Sequence, residues 1–388
     1  MDWLRTLRGV PLAAVLALGL VASGPGDALA GPREQAKRMH DRLVGVPPTT
    51  AVLDSMQASI EADDPVAAAH TAMANPIFYI SSLKNFATPW TNVPQTVFGD
   101  LNDYTATVIG MIRDDVPFDE VLHGDILYVG AGGGYSNTDN THYAQLEQSR
   151  ADLSDPNVLV RRVQSAVTAL PAAATAGVLT TRAAGEAFFS AGTNRRMWRF
   201  TAMNYLCRDM EQLNDITRPA DRIRQDIGRS PGGDSRIFHN TCVGCHSGMD
   251  PLSGAYAYYE WDQATARVTY TPGNVTGKHL INANAFPGGY VTVDDSWVNL
   301  WRAGPNSSLG WRGPAGSGNG MKSLGVEVSA SRAFSVCQVE KVFRRVCLRA
   351  PESVADRAAV ESIADDFEAG NRSMKLVFAE TAAFCMGN

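Results

Sequence analysis

The sequence has few charged residues and no excess of positive charge. Asp, Glu, Lys and Arg make up 19% of its 388 residues, below the roughly 25% that is usual for soluble domains. Acidic residues outnumber basic ones by 40 to 34, giving a net charge of −6, whereas a dedicated nucleic-acid-binding protein normally carries a basic footprint. The apolar share of 45% excludes disorder of the whole chain. The composition predicts a globular protein without a nucleic-acid partner.

Long hydrophobic runs are also missing. The longest apolar run, Leu12–Ser23, has 12 residues, too few for a membrane span of about 20. Arg5 and Arg8 precede it, and the small-x-small pattern Ala28-Leu29-Ala30 follows it. This order is typical of a cleavable signal peptide, although an uncleaved anchor helix is an alternative. We expect a signal peptide at residues 1–30, a mature chain without a transmembrane segment, and a periplasmic or secreted location.

Cysteine is scarce, and two of the six cysteines lie in one motif. Cys242-Val243-Gly244-Cys245-His246 has the C-x-x-C-H form that attaches c-type haem. Two thiols at this spacing can add to the two vinyl groups of one haem, and the adjacent imidazole can bind the iron from below. The motif predicts one covalent haem c at Cys242 and Cys245, with His246 as the proximal iron ligand.

Two other readings of the motif are weaker. A zinc site needs two further ligands, usually a second C-x-x-C or a pair of histidines, and the remaining cysteines and histidines are scattered. A thioredoxin-like disulfide pair belongs in a βαβ context, whereas the surrounding sequence is helical and interrupted by Gly and Pro.

The motif and its surroundings resemble a known family. Residues 242–254 read C-V-G-C-H-S-G-M-D-P-L-S-G, similar to the C-x-x-C-H-x-x-M-D-P-L-G signature of large secreted cytochrome-c-like proteins of planctomycetes and myxobacteria. Ser253 stands where that family usually has Gly. Further similar segments are Pro117–Tyr128, Gly177–Thr181, Asn194–Arg196, Asn204–Cys207 and Ala333–Val339 with Arg349. The family has no settled activity, so the resemblance implies haem binding and export alone.

Periodicity and turn residues predict a mainly α fold. We expect a helical region at residues 31–228 and a C-terminal cytochrome-c-like haem unit at residues 229–388 that contains a small β-hairpin. The hairpin is predicted at Ala255–Trp261 and Arg267–Thr271 from aromatic and β-branched residues. A short helix is predicted at Asp294–Arg302. The remaining predicted helices are Arg195–Cys207, Ala330–Leu348, Pro351–Phe367 and Lys375–Phe384.

The second axial position of the iron has several candidates. Met249 lies one helical turn after His246, on the same side of the haem, so it suits packing better than distal ligation. Met321 follows a Gly-rich loop and precedes the terminal helices, the position from which small cytochromes supply a ligand Met, and it is the leading candidate. His279, on a strand-like segment Lys278–Ile281, is the next, and an open face is the third possibility.

The other four cysteines are expected to form two disulfides. Cys337 and Cys347 fall on one predicted helix, about 15 Å apart at about 1.5 Å per residue, which is beyond the roughly 7 Å reach of a disulfide. Two pairings remain: Cys207–Cys337 with Cys347–Cys385, or Cys207–Cys347 with Cys337–Cys385. The first is favoured because Cys347 and Cys385 would close a helical hairpin.

These features favour one-electron transfer in the periplasm, with an unidentified redox protein as the partner. A haem enzyme with an open distal site, peroxidase-like or oxidase-like, is the alternative, and a haem that only stabilises the fold is a third reading. Such an enzyme could use nearby acidic and basic residues, and the candidates are Glu260, Asp294, Asp295 and Arg302. No feature of the sequence places them at the haem.

Overall fold

The structure is a computed structural model that describes residues 30–387. The predicted signal peptide, apart from Ala30, lies outside the described residues. The described chain is mainly helical, as predicted. Its helices are α1 (Pro32–Val44), α2 (Thr50–Glu61), α3 (Pro65–Met73), α4 (Lys84–Ala87), α5 (Asp103–Arg113), α6 (Thr141–Gln148), α7 (Gln164–Val167), α8 (Arg182–Phe188), α9 (Arg195–Tyr205), α10 (Ser235–Ile237), α11 (Val243–Ser253), α12 (Gly320–Ser329), α13 (Arg332–Cys347), α14 (Val354–Ala369) and α15 (Met374–Cys385).

Local side chains explain where several helices begin. The Thr49 hydroxyl accepts a hydrogen bond from a backbone N–H in the first turn of α2, and the Asp64 carboxylate does the same for α3, which continues with Pro65. Ser353 and Asp356 form a reciprocal capping box at the start of α14. Such caps satisfy N–H groups that have no partner within the helix.

The strands form small two-stranded antiparallel sheets. The pairs are β1 (Leu127–Gly130) with β2 (Leu159–Arg162), β3 (Tyr259–Asp262) with β4 (Arg267–Tyr270), and β5 (Ser296–Val298) with β6 (Ser317–Asn319). The β3–β4 pair confirms the predicted hairpin, with Tyr259 opposite Tyr270.

Two local predictions were wrong. The expected helix at Asp294–Arg302 is instead strand β5 followed by a 3₁₀ turn at Leu300–Arg302, because Trp297 pairs with Gly318 of the distant β6. The strand-like segment Lys278–Ile281 falls in a 3₁₀ turn, Gly277–Leu280, in which the His279 N–H donates to the Thr276 carbonyl at 3.1 Å.

One large apolar core extends through the described chain, from Ala36 in α1 to Cys385 in α15. It draws side chains from both sides of the predicted boundary between residues 228 and 229. A second, smaller cluster contains Ile223, Phe238 and Val243, with Cys242 packed against it. The motif helix α11 therefore lies between the main core and this smaller cluster.

The two disulfides have the favoured pairing. Cys207 is bonded to Cys337 with a Cα–Cα distance of 5.3 Å, and Cys347 to Cys385 with 5.5 Å. Cys337 and Cys347 lie on one helix, α13, which confirms the reasoning that they cannot pair with each other.

Between residues 30 and 387, every helix is too short or too polar to cross a bilayer.

Candidate functional site

The C-x-x-C-H motif lies where two helical segments join. Cys242 ends a π-helical segment, Phe238–Cys242, and α11 begins at the next residue. Because side chains three and four residues apart share a helix face, Cys242, Cys245 and His246 lie on one face. Both cysteines are partly buried and neither is in a disulfide. The structure thus brings together all three predicted haem-attachment residues.

The Cys245 thiol is a poor match to a thioredoxin-like pair. The Cys245 sulfur lies 3.4 Å from the Met210 carbonyl oxygen, and burial, together with the neighbouring Cys242, raises the pKa of the Cys245 thiol. Reactive redox cysteines have a lowered pKa. The Cys245 thiol therefore lacks the lowered pKa that a thioredoxin-like pair needs.

Two glycines let other elements come close to α11. A Cβ on Gly244 would lie 1.6 Å from the Asn214 side-chain oxygen, and one on Gly248 would lie 2.1 Å from the Trp301 ring. The Asp215 N–H donates to the Gly244 carbonyl at 2.9 Å. These contacts fix the motif helix against the segment after Leu213 and against the turn that carries Trp301.

His246 is oriented by a carboxylate one turn further along the same helix. Its Nδ1 lies 3.1 Å from Asp250 Oδ1, so in the neutral ring Nδ1–H donates and Nε2 keeps its lone pair. The His246 side chain is 18% exposed, whereas that of Asp250 has no exposed surface. A histidine with one nitrogen anchored and the other free is the arrangement typical of a metal ligand.

Asp250 belongs to a buried charge cluster. We use this term for Arg195, Arg224, Asp226 and Asp250. Arg195 donates to both oxygens of Asp250, at 2.6 and 2.8 Å, and also to Asp226, at 2.8 Å from Nη2 to Oδ1. The Arg224 backbone N–H donates to Asp250 Oδ2 at 3.0 Å. Two arginines and two aspartates balance each other in charge.

The pKa shifts in this cluster follow from its pairing. Burial acts to raise the pKa of Asp250, but attraction and hydrogen bonds from Arg195, and the bond from His246, lower it far below the usual range of an aspartate. Burial and the charge of Arg195 lower the pKa of Arg224 to about 10, so both arginines remain cationic at neutral pH. The Asp250 carboxylate is therefore ionised at all physiological pH values.

His279 lies beside this cluster. Arg224 Nη1 donates to its Nδ1 at 2.6 Å, and its Nε2 lies 3.5 Å from the Asn194 amide nitrogen. Burial and the charge of Arg224 lower the pKa of His279 to about 3, so the ring is neutral. Because both ring nitrogens face protein groups, His279 is less suited than Met321 to serve as a second iron ligand.

Met321 is the second residue of α12 and is fully buried in the main core. Helix α12 contacts the turns at Phe118–Leu122 and Gly254–Tyr256 and strand β6. The latter turn directly follows the C-terminal end of α11. Its assignment as distal ligand stays a prediction. Met249 is also buried in the main core, at 7% exposure, as expected for a packing residue.

Apolar side chains surround the motif on its outer side. Cys242 packs against the smaller cluster of Ile223, Phe238 and Val243. Ile237, next to Phe238, is 44% exposed. An exposed apolar group beside a buried cluster suits a surface that a porphyrin covers, so the residues on this side of Cys242 fit a covalently bound haem.

Two of the four acidic and basic residues considered for an enzyme form ion pairs. Arg302 pairs with the buried Glu327 at 2.7 Å, and Glu260 forms an ion pair with Lys278. Among residues 30–387, no group of three or more His, Cys, Asp or Glu side chains is arranged to hold a metal ion.

Sequence reasoning missed the buried charge cluster, although part of it was detectable. Asp250 is four residues after His246 on the same helix, a spacing at which side chains meet, and Arg195 lies in one of the segments that resemble the secreted family. Arg224 and Asp226 lie in a polar connection without any motif.

Comparison of this chain with protein-family models, curated proteins and solved structures found no match.

Proposed function

We propose that this chain is an exported c-type cytochrome that carries one covalent haem and transfers single electrons in the periplasm. The observation that supports it most strongly is the motif helix. It presents two unpaired thiols and a histidine whose Nδ1 is anchored to Asp250 and whose Nε2 is free. This is the donor set that covalent haem attachment requires.

In this proposal the haem supplies the one-electron redox couple, and the protein sets its attachment, ligation and burial. Cys242 and Cys245 would hold the cofactor, and His246 would offer Nε2 to the iron. Asp250 keeps the imidazole in the tautomer that leaves Nε2 unprotonated. The apolar cluster of Ile223, Phe238 and Val243, against which Cys242 packs, would give the haem apolar surroundings on that side.

Export is supported by two independent features. The sequence carries a signal-peptide pattern at residues 1–30, and the chain forms the disulfides Cys207–Cys337 and Cys347–Cys385. Disulfides persist in oxidising compartments such as the periplasm, where c-type haem is also attached. The electron-transfer partner would be another redox protein.

Met321 is proposed as the distal ligand of this electron carrier. A thioether opposite the histidine raises the reduction potential, and the buried position of Met321 at the start of α12 keeps water from its sulfur. With both axial positions filled, the iron would exchange electrons without binding a substrate.

A haem enzyme with an open distal face is the second candidate, and one observation favours it. A carboxylate that accepts a hydrogen bond from a metal-bound histidine makes that histidine a more basic ligand. A basic proximal ligand favours the ferric state and suits oxygen or peroxide chemistry better than a high-potential electron carrier. The His246–Asp250 contact of 3.1 Å is such a bond.

Two measurements test these proposals. The purified protein should keep its haem on a denaturing gel, and a Cys242→Ala/Cys245→Ala variant should lose the haem stain. The matched control is Cys347→Ala/Cys385→Ala, which removes two cysteines outside the motif and should keep the stain. Haem that acid solvent extracts from the wild type would refute covalent attachment.

Visible spectra of the oxidised and reduced holoprotein, with and without carbon monoxide, separate the two functions. A low-spin spectrum that carbon monoxide does not change supports the electron carrier. A high-spin spectrum with rapid carbon monoxide binding supports the enzyme.

A further inference from the structure

We infer that Asp250 and Arg195 act as opposed positioning residues that set the reduction potential of the haem through His246. The inference rests on the proposed haem attachment at this motif. Asp250 contacts the proximal histidine directly, whereas Arg195 acts only through Asp250. Neither residue would contact the iron.

The carboxylate is held rigidly enough to control the imidazole. Asp250 Oδ1 accepts from Arg195 Nε at 2.6 Å and from His246 Nδ1 at 3.1 Å, while Oδ2 accepts from Arg195 Nη2 at 2.8 Å and from the Arg224 backbone at 3.0 Å. With no exposed side-chain surface, the carboxylate cannot turn toward water. A hydrogen bond in such a low-dielectric setting is stronger than the same bond in solvent.

The charge on Asp250 and the charge on Arg195 act on His246 in opposite directions. An anionic acceptor at Nδ1 pushes electron density toward Nε2, which makes the imidazole a stronger donor and stabilises the ferric iron. Arg195 withdraws part of that charge, because it shares Oδ1 with His246 at the shorter distance of 2.6 Å. The potential then depends on how much of the carboxylate's charge remains for His246.

Asp226 also affects how much negative charge Asp250 presents to His246. It competes with Asp250 for the Arg195 guanidinium, to which it bonds through both oxygens, and its side chain is 6% exposed. Removing the charge of Asp226 leaves Arg195 more fully available to Asp250. That change should weaken the effect of Asp250 on His246 without altering any group that touches the histidine.

The inference predicts the sign of each change in potential. Asp250→Asn removes the anion from Nδ1 and should raise the potential, shifting the ferric-to-ferrous equilibrium about tenfold toward ferrous, which is about 59 mV for a one-electron couple. Arg195→Gln leaves the carboxylate less compensated and should lower the potential. Asp226→Asn should raise it by less than Asp250→Asn.

The test is a spectroelectrochemical titration of the haem-loaded wild type and these three variants. Arg199→Gln is the matched control, because Arg199 lies one turn after Arg195 on α9 and pairs with Asp209 at the surface. Its potential should match the wild type. If the two residues had a purely structural role, Asp250→Asn and Arg195→Gln would shift the reduction potential in the same direction, because both variants loosen the contact between Asp250 and Arg195.

The outcomes distinguish this inference from the proposed function. Wild-type protein without covalent haem would refute haem attachment itself. Haem-loaded variants with wild-type potentials, or with Asp250→Asn and Arg195→Gln shifted in the same direction, would refute the inference alone. If Asp250→Asn or Arg195→Gln does not accumulate as holoprotein, Asp226→Asn decides: a raised potential supports the inference, and an unchanged or lowered one overturns it.

Discussion

Replacement of Arg195 by alanine should destabilise the protein more than any change at the exposed surface. Arg195 is the shared partner of Asp226 and Asp250, whose side chains are 6% and 0% exposed. Without the guanidinium, two carboxylates stay buried beside each other with fewer donors. The remaining cation of the cluster, Arg224, reaches Asp250 through its backbone N–H.

The size of the effect follows from this burial. Removing one partner of a buried ion pair costs about 3–5 kcal/mol, because it leaves an uncompensated charge. A domain is stabilised by about 5–15 kcal/mol in total, so Arg195→Ala should remove about a fifth or more of the free energy of unfolding.

Arg199 provides the control on the same helix. It makes a two-pronged contact with Asp209, at 2.7 and 2.6 Å, but the two side chains are 50% and 33% exposed. Exposed pairs contribute about 0.2–1 kcal/mol. Arg199→Ala changes the same residue type in the same helix, so the difference between the two variants reports the burial of Arg195 together with its second carboxylate partner.

The assay is denaturant unfolding of the purified proteins, followed by circular dichroism at pH 7 and at pH 4.5. Because the pKa of Asp250 is lowered in the fold, its pairing stabilises the protein above the unfolded-state pKa, and this stabilisation is lost as the pH falls. In Arg195→Ala, burial instead raises the pKa of Asp250, so protonation relieves the penalty. The loss of stability should be largest at pH 7 and smaller at pH 4.5. Equal losses for Arg195→Ala and Arg199→Ala would refute the reasoning.

Three further predictions concern other parts of the chain. Cys347→Ala/Cys385→Ala opens a loop with a sequence separation of 38 and should lower the free energy of unfolding by about 4 kcal/mol; an unchanged denaturation midpoint would contradict this. Burial, with the nearby Asp366, raises the pKa of Glu380 to about 7, so the protein loses stability as the pH rises from about 4.5 to 7. Glu380→Gln should therefore stabilise the protein by about 1–2 kcal/mol at pH 8, after allowance for solvent screening. At pH 4 the same substitution should change the free energy of unfolding little. An equal gain at pH 4 and pH 8 would show that ionisation of Glu380 is not the cause. Met321→Ala should convert the visible spectrum to high spin and lower the potential if its sulfur binds the iron, whereas an unchanged spectrum would exclude Met321 as the ligand.

The sequence by itself determined the features that depend on short spacings. The C-x-x-C-H motif places Cys242, Cys245 and His246 on one helix face, because the helical repeat fixes side chains three and four residues apart. The same repeat separates Cys337 from Cys347 along α13, and this was sufficient to exclude one disulfide pairing. The hairpin and the terminal helices were also predictable, because each depends on a pattern of residues that are close together in the sequence.

Tertiary structure decided what depends on distant partners. The segment around Trp297 has the spacing of a helix but forms a strand, because residues 317–319 offer it hydrogen bonds. The contact of Arg224 with the His279 ring joins residues 55 positions apart. Arg195 reaches Asp250 across 55 residues of sequence and Asp226 across 31. Ion pairs of this kind form only when packing excludes water from both partners, and the sequence carries no local record of that exclusion.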